Sequence, residues 1–281
     1  MKPQLSLIIS FYNKIELLKL IFASLEMQTL KDFEVVIADD GSRREIVDEI
    51  QLIKNNYRFP IHHVWHEDNG WQKNKILNKA VVQATSDYLV FLDGDCLPHP
   101  MFLQEHFENK AANRVISGRR VMLTEKVSQK LNVSKMHSKY LQFWVFFELL
   151  VPTLFCKFPT HVENMLHVRN KWLRMLFIKD KPRGFWGCNF SLHKSDIVKV
   201  NGFDERYTYP GTGEDTDLED RLKRIGVHPL SKKHMVIQFH YYHVQFNTDY
   251  EPNKKLRADN ITNGVSYTPY GINKSEHEDR V

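Results

Sequence analysis

Two aspartates that follow an apolar strand pattern are the strongest candidates for chemistry in this sequence. Five apolar residues in a row, Tyr88 to Leu92, predict a strand buried on both faces, and Asp93, Gly94 and Asp95 follow it directly. Ligands of open α/β sheets bind at the carboxyl ends of strands, and a glycine there allows a turn and a close approach. Two carboxylates this close repel each other unless a cation lies beside them, and oxygen ligands suit Mg²⁺ or Mn²⁺. The alternative is an ordinary polar turn, because turns favour Asp and Gly.

Polar side chains also follow two earlier strand patterns. Ser10 lies near the end of the pattern from Leu5 to Phe11, and Asp39 and Asp40 follow the pattern from Phe33 to Ala38. Because the carboxyl ends of parallel strands meet at one edge of a sheet, a single cleft could hold these residues and the two aspartates above.

Titratable residues of the second half stand in two further patterns. Glu214 and Asp215 follow Gly213 at the start of a predicted helix, where the helix dipole favours carboxylates and a simple cap is the alternative. His240 and His243 lie on a predicted last strand, Val236 to His243, where packed strand residues are the alternative. The spacing alone does not assign a role to either pair.

The elements that would position these residues alternate between strand and helix. Strand patterns cover Leu5–Phe11, Phe33–Ala38, Ile61–Trp65 and 88–92, and helical patterns cover Ile15–Met27, Glu45–Asn55 and Gln72–Ala84. This alternation predicts an α/β fold with a parallel sheet and right-handed crossovers. Strand-then-helix patterning returns from Trp186 to Phe203.

Composition and charge bound the class of protein. The chain has 281 residues, 42% hydrophobic and 26% charged, which is typical of one large or two small globular domains. It shows no signal-peptide pattern and no apolar run long enough to span a bilayer, and its three dispersed cysteines fit free thiols, so we expect a cytoplasmic protein. The net charge of +5 is compatible with an anionic substrate or membrane surface, while no motif points to nucleic acid.

The middle and the end of the chain lack the alternation. Residues 115–122 predict an edge strand, and Phe143 to Phe155 predict an apolar core helix. Aromatic and basic residues are interleaved over 157–185, which favours either peripheral contact with a membrane surface or a helix with a solvated basic face. Residues 246–281 are polar and predict a tail or a flexible loop.

Four segments in order resemble the family 2 nucleotide-sugar glycosyltransferases of the GT-A type. These segments are Leu7–Asn13, Gln28–Ser42 with its Asp-Asp-Gly-Ser ending, Asp93–Asp95 and Gly187–Asp215. The last of them is similar to segments of β-1,4-galactosyltransferases and bacterial chondroitin polymerases. The resemblance implies a Rossmann-like GT-A fold, in which a mostly parallel central sheet is flanked by helices and carries a helical, aromatic and basic insertion.

The resemblance also implies a division of the chain. One catalytic domain would cover residues 1–245. Its parts would be a nucleotide-sugar-binding half over 1–115, a variable acceptor-facing or membrane-facing segment over 116–185, and an acceptor and catalytic half over 186–245. Residues 246–281 would follow as the tail.

By the same resemblance, the two aspartates after the buried strand belong to a metal and donor site. Asp95 would be the direct ligand of a divalent Mn²⁺ or Mg²⁺ ion, and Asp93 would contact the ribose or the metal. A histidine from the late strand would complete the coordination, and the sequence context favours His243 over His240.

The nucleotide of the donor would lie along the first strands. The resemblance implies that Asp40 reads the base, that the backbone near Ser10 lies against it, and that Asp39 supports the turn. A carboxylate that accepts from N3–H of uracil makes a UDP-sugar the expected donor.

One departure from the family concerns positive charge near the diphosphate. Many relatives carry an Arg-Asn pair in the helix before the Asp-x-Asp strand, and the corresponding pair here is Leu77-Asn78. Lys73 and Lys75 lie nearby and could supply the missing charge to the diphosphate, and we expect Lys75 to belong to the donor site.

The resemblance finally implies the reaction. Asp215 would be the general base that activates an acceptor hydroxyl, and Glu214 would bind acceptor hydroxyls. A base on one face and a leaving group on the other give a single displacement with inversion. We therefore expect metal-dependent transfer of a hexose or N-acetylhexosamine to a glycan or lipid-linked glycan, in bacterial surface polysaccharide or lipopolysaccharide synthesis at the inner face of the cytoplasmic membrane.

Two other functions are compatible with parts of the pattern. A nucleotidyltransferase also combines an α/β sheet with a carboxylate-bound metal, but it would carry a glycine-rich basic loop where Ser10 to Lys14 stand. A non-catalytic glycan- or nucleotide-binding module would need no general base, so the carboxylate at Asp215 argues against it.

Overall fold

The predicted alternation of strands and helices is confirmed over the first half of the chain. The computed structural model describes residues 2–136, 143–155, 160–178, 184–211, 213–244 and 250–274. Its strands and helices, in chain order, are β1 (Leu5–Phe11), α1 (Ile15–Glu26), β2 (Phe33–Asp39), α2 (Arg44–Ile53), β3 (Ile61–Trp65), α3 (Lys73–Gln83), β4 (Tyr88–Asp93), β5 (Cys96–Pro98), α4 (Phe102–Glu108), β6 (Arg114–Ser117), β7 (Arg119–Met122), α5 (Glu125–Lys130), α6 (Val145–Phe155), α7 (Lys171–Phe177), β8 (Asn189–His193), α8 (Lys194–Lys199), α9 (Glu214–Arg224), β9 (His228–Ser231), β10 (Ile237–His240) and α10 (Glu251–Thr262).

The central sheet has seven strands in the order β3-β2-β1-β4-β8-β6-β9. The first four strands in this order run parallel, as the crossover helices require, whereas β8 is antiparallel to both β4 and β6. The predicted α/β fold with a mostly parallel central sheet flanked by helices is therefore confirmed. Its topology brings the carboxyl ends of β1, β2 and β4 to one edge.

Alternation along each central strand sends side chains into two separate cores. Leu7 and Ile9 of β1 pack in one core with α1, while Ile8 between them packs in the other core with α3. In β4, Val90 and Phe91 divide in the same way. Because both faces are covered, these strands have continuous apolar sequences and not alternating ones.

The predicted single edge strand over 115–122 is wrong, because Gly118 divides it into two strands. β6 lies inside the central sheet between β8 and β9, and β7 belongs to a second sheet of order β5-β10-β7. A Cβ atom at Gly118 would lie 2.1 Å from the carbonyl oxygen of Val236, so only glycine permits this close crossing. The second sheet brings β10 beside the chain that follows β4.

Part of the predicted C-terminal tail is a helix. α10 packs on α9, where Asn260 donates to Asp217, and Arg257 pairs with Asp220. The structure differs from the predicted tail because these polar side chains bury against polar partners, which composition alone does not reveal. Residues 246–249 and 275–281 of the predicted tail lie outside the described residues.

The insertion, within residues 116–185, exposes more apolar surface than the predicted core helix would. Val145 and Leu149 of α6 are buried, whereas Phe147, Val151 and Phe155 on other sides of the helix are exposed. α7 likewise exposes a set of large apolar side chains, namely Trp172, Leu173, Met175 and Leu176. Residues 156–159 and 179–183 lie outside the described residues.

This exposed apolar surface leaves the expected membrane contact over 157–185 as a prediction. Within the described part of the chain, no helix combines the length and the hydropathy that a bilayer crossing needs. Surfaces of this kind mark interaction sites, but they do not identify the partner.

Candidate active site

The carboxyl ends of β1, β2 and β4 open into one cavity of about 580 Å³, as the polar strand ends predicted. Among its lining residues are Ser10, Asp40, Lys73, Asp93, Gly94 and Asp95. The Ser10 hydroxyl donates to Asp93 Oδ1 over 2.7 Å, which links the two neighbouring strand ends. A cavity of this volume is in the range of small-ligand sites.

Gly94 is required here by a close approach of backbone and not by a left-handed turn. A Cβ atom at this position would lie 2.5 Å from the carbonyl oxygen of Ser10. Any other residue would push the chain after β4 away from β1. The glycine therefore fixes the two aspartates on either side of it against the end of β1.

Asp95 and two histidines form the candidate metal centre. One ligand atom from each of Asp95, His240 and His243 lies within 4.8 Å of the others. Nε2 of His243 is 3.2 Å from Asp95 Oδ2, and Nε2 of His240 is 3.7 Å from Asp95 Oδ1. Both histidines considered from the sequence are thus placed beside the same carboxylate.

The predicted strand from Val236 to His243 is too long, and its early end explains the histidine geometry. β10 ends at His240, and the backbone N–H of Tyr241 donates to the carbonyl oxygen of Asp95 over 2.8 Å. Along a continuous strand, residues three apart point to opposite faces. Because the strand stops at His240, both imidazoles can approach Asp95.

The electrostatics of this group fit a divalent cation. Burial would raise the pKa of Asp95, but the His243 side chain and the charge of His240 outweigh burial and hold the pKa below its ordinary value. Burial lowers the pKa of His240, and its Nδ1 is buried with no hydrogen-bond partner among the described residues. An ionised carboxylate with two imidazoles is a donor set that suits Mn²⁺ and related ions.

Asp39 and Asp40 have different surroundings. Asp39 is fully buried, accepts from the backbone N–H of Ser42 over 2.9 Å and contacts His63, so it supports the turn. Asp40 lines the cavity, where it accepts from the backbone N–H of Gln72 over 3.0 Å and contacts His66 Nε2 over 2.8 Å. Of these two residues, Asp40 is the one that a bound nucleotide can reach.

The structure differs from the expectation for Lys75. Lys73 lines the cavity, and its ammonium group is 2.9 Å from Asp93 Oδ1 and also contacts Glu214 Oε1. Burial would lower the pKa of Lys73, but the two carboxylates hold it well above its ordinary value. Lys75 is not among the lining residues. It lies two positions after Lys73 on α3, and side chains two positions apart on a helix point to different sides.

Glu214 and Asp215 begin α9 but do not cap it. The backbone N–H of Gly213 donates to Thr216, while Glu214 contacts Lys73 and Asp215 Oδ2 accepts from the backbone N–H of Gly187 over 2.7 Å. Burial raises the pKa of Glu214 to about 7, with Lys73 opposing this shift, and burial also raises the pKa of Asp215. Carboxylates with raised pKa values in a cleft are suited to proton transfer.

The raised pKa of Glu214 makes stability depend on pH. The folded chain holds this proton up to about pH 7, whereas the ordinary value is 4.5, so the free energy of unfolding decreases as pH rises between these values. A difference of this size corresponds to roughly 3 kcal/mol. We expect Glu214→Gln to remove this decrease in urea unfolding at pH 4.5 and 8. Glu45→Gln, at an exposed first-turn glutamate of α2, is the control, and an unchanged pH dependence in Glu214→Gln would contradict the assignment.

Several residues of the site were missed by the sequence analysis. Tyr12 and Trp71 supply aromatic surface to it, and the Tyr12 hydroxyl donates to Asp68 over 2.9 Å. Gly187 matters through its backbone: a Cβ atom there would lie 3.2 Å from Asp215 Cβ. Only the aromatic type of Tyr12 and Trp71, each next to a predicted element, could have indicated them.

Comparison with known protein families decides the classification. The profile described as glycosyl transferase family 2 matches residues 6–177, which is more than half of the chain. This chain belongs to glycosyl transferase family 2. A second profile, described as the N-terminal domain of galactosyltransferase, matches residues 171–245 and so covers α9 and the two histidines. The resemblance stated from the sequence is confirmed, and the nucleotidyltransferase alternative loses its support.

Curated relatives of this family 2 chain include a polysaccharide synthase and a glucosyltransferase. A chondroitin synthase from Escherichia coli is 28% identical over 243 residues, which cover 79% of this chain and 32% of that protein. A validoxylamine A glucosyltransferase from Streptomyces hygroscopicus is 29% identical over 242 residues, which cover 80% of this chain and 52% of that protein. The chain therefore spans between about a third and a half of the length of these relatives.

Solved structures support the fold of the family 2 chain. The mannosyltransferase PcManGT from Pyrobaculum calidifontis, in complex with GDP-Man and Mn²⁺, superposes with a TM-score of 0.56 at 15% identity, covering 92% of this chain and 61% of that one. Residues 1–349 of S. aureus TarS in complex with UDP-GlcNAc superpose with a TM-score of 0.55 at 13% identity, covering 94% and 67%. At such low identity these likenesses show the GT-A fold.

Proposed function

We propose that this chain transfers a hexose or N-acetylhexosamine from a nucleotide diphosphate sugar, a UDP-sugar by preference, to a glycan acceptor with inversion. The observation that carries the proposal is the connection between two groups of side chains. Asp95 lines the cavity and lies beside His240 and His243, and Lys73 joins Asp93 of the cavity to Glu214 of α9. Glu214 and its neighbour Asp215 both have raised pKa values. A metal-and-donor site and a general base are the two parts that such a transfer needs.

The donor would bind along the strand ends. Both carboxylate oxygens of Asp40 already accept one hydrogen bond each, from His66 and from the Gln72 backbone, and each retains a lone pair for a ligand. A uracil N3–H is a suitable donor to such an oriented carboxylate. A Mn²⁺ or Mg²⁺ ion held by Asp95, His240 and His243 would supply charge neutralisation to the departing nucleoside diphosphate.

Asp215 would take the proton of the acceptor hydroxyl. Its raised pKa makes it a stronger base than an ordinary aspartate, and the hydrogen bond from the Gly187 N–H orients its carboxylate. Glu214 would bind acceptor hydroxyls beside it. Attack from this side, opposite the leaving diphosphate, gives a single displacement and therefore inversion.

The glycan acceptor and the cellular setting follow from the relatives as proposals. The curated relatives named above include a chondroitin synthase, which supports a sugar hydroxyl as the nucleophile. A growing surface polysaccharide or lipid-linked glycan, presented at the inner face of a cytoplasmic membrane, is the acceptor that we propose.

Lys73 and Lys75 provide a matched test of the donor site. Lys73→Met removes the cation between Asp93 and Glu214, and we expect the Kd of UDP, measured by calorimetry with Mn²⁺, to rise about tenfold, the scale of one charge-assisted contact. Lys75→Met makes the same chemical change two residues away, outside the lining of the cavity, and should leave the Kd within about twofold. Equal effects of the two variants, or a larger effect of Lys75→Met, would contradict this donor site.

A further inference from the structure

Trp186 and two consecutive arginines form a cluster outside the donor cavity. The guanidinium carbon of Arg120 lies 4.5 Å from the centre of the Trp186 ring, and that of Arg119 lies 5.5 Å from it. The backbone holds the tryptophan in place, because its carbonyl oxygen accepts from the Asn189 N–H over 2.9 Å at the start of β8. Trp186 nevertheless remains 36% exposed, so part of its surface is open to a ligand.

This cluster is tied to the proposed general base. Gly187 follows Trp186 directly, and its backbone N–H is 2.7 Å from Asp215 Oδ2. Neither Trp186 nor Arg120 is among the residues that line the donor cavity. The backbone therefore joins Trp186 to the proposed base, while the ring lies outside the lining of the nucleotide cavity.

The charge of Arg120 has no acidic counterpart nearby. Within the described part of the chain, no carboxylate oxygen lies within 4.0 Å of the Arg120 guanidinium. Arg120 of β7 lies opposite Gln238 of β10, two residues before the candidate metal ligand His240. Its guanidinium is a planar set of donors that suits a carboxylate or a phosphate.

We propose that Trp186 and Arg120 form an acceptor subsite for a pyranose that carries an anionic group. The open part of the Trp186 ring covers the apolar C–H face of the sugar, and Arg120 binds the acid. A uronic acid carboxylate and a sugar phosphate share this chemistry. The inference rests on the proposed function, because it assigns the acceptor class to the base at Asp215.

Matched sugar pairs test the subsite directly. The probes are p-nitrophenyl β-glucuronide, p-nitrophenyl β-glucoside and the glucoside 6-phosphate, with the galacto series as a second set. Their Kd values are measured by calorimetry on protein saturated with UDP and Mn²⁺. In the gluco series, the galacto series or both, we expect an acidic sugar to bind about tenfold more tightly than the neutral sugar. This factor is the scale of a hydrogen bond between charged groups. The tighter of the two acids identifies the source of the anion.

Variants separate this subsite from a general effect of charge. Arg120→Gln should reduce the preference for the acid to about twofold or less, and Trp186→Leu should weaken acidic and neutral probes together. Arg114→Gln removes an exposed arginine of β6 and should change neither. Equal binding of acidic and neutral probes to the native protein, or a preference that survives Arg120→Gln, would overturn the inference.

The donor site provides the readout that distinguishes two kinds of failure. If UDP with Mn²⁺ still raises the melting temperature while the preference for the acid is absent, the acceptor subsite is wrong and the proposed function stands. If UDP has no metal-dependent effect on the native protein, the proposed function fails, and this inference fails with it.

Discussion

Asp215→Asn is expected to lower the rate of sugar transfer by a factor of about 10²–10⁴ and to leave donor binding nearly unchanged. The asparagine keeps the shape of the side chain and can still accept from the Gly187 N–H, but it cannot take a proton from the acceptor. Asp215 is not among the residues that line the donor cavity, so the Kd of UDP should not change. The measurement is the transfer rate from a panel of UDP-sugars, together with the Kd of UDP by calorimetry.

Two outcomes of this experiment would contradict the role of Asp215. Transfer that stays within about threefold of the native rate would exclude it as the base, since general base catalysis contributes more than this. Loss of UDP binding in the variant would show that Asp215 belongs to the donor site. If the native chain transfers no sugar from any donor but binds UDP, the non-catalytic module is the better description.

Asp95→Ala is expected to weaken metal-dependent UDP binding by at least about 100-fold, or about 2.7 kcal/mol. Asp95 contributes the carboxylate of the candidate metal centre, and the two histidines that remain would be a neutral donor set for a dication. The measurement is UDP calorimetry in the presence of Mn²⁺. Asp68→Asn is the matched control, because this carboxylate also lines the cavity but does not belong to the group with the histidines.

The outcome of Asp95→Ala also decides between two kinds of donor site. If the variant binds UDP as the native chain does, the metal centre does not take part in donor binding. If Asp68→Asn weakens binding as much as Asp95→Ala, the effect is a general loss of negative charge from the cavity and not the loss of a ligand.

The first half of the fold could be predicted from the sequence because its signals are local. The apolar runs of β1, β2 and β4 are each followed at once by polar residues, and parallel strands necessarily bring those ends together. The sequence therefore predicted one cleft for Ser10, Asp40 and Asp93, and all three line the observed cavity. Family resemblance added Asp215 and the histidines, whose partners lie far away in the sequence.

The parts that were not predicted depend on contacts between distant segments. β10 ends at His240, which pairs with the first residue of β5 and the last residue of β7, and nothing in the local sequence indicates this end. Lys73 and Lys75 are the same residue type, and only the orientation of α3 decides that Lys73 is the one that contacts Glu214. The break at Gly118 similarly depends on the approach of Val236.

The central claim is that this family 2 chain has a metal-dependent nucleotide-sugar site, and thermal unfolding with nucleotide diphosphates tests it most directly. A ligand at about 100 times its Kd stabilises the folded chain by about 2.7 kcal/mol, which for a chain of this size is on the order of 5 °C in Tm. We expect UDP with Mn²⁺ to produce this shift, UDP without metal to produce none, and Asp95→Ala to abolish it. A shift that is the same with and without Mn²⁺, or no shift with any nucleotide diphosphate, would contradict a metal-dependent nucleotide-sugar site.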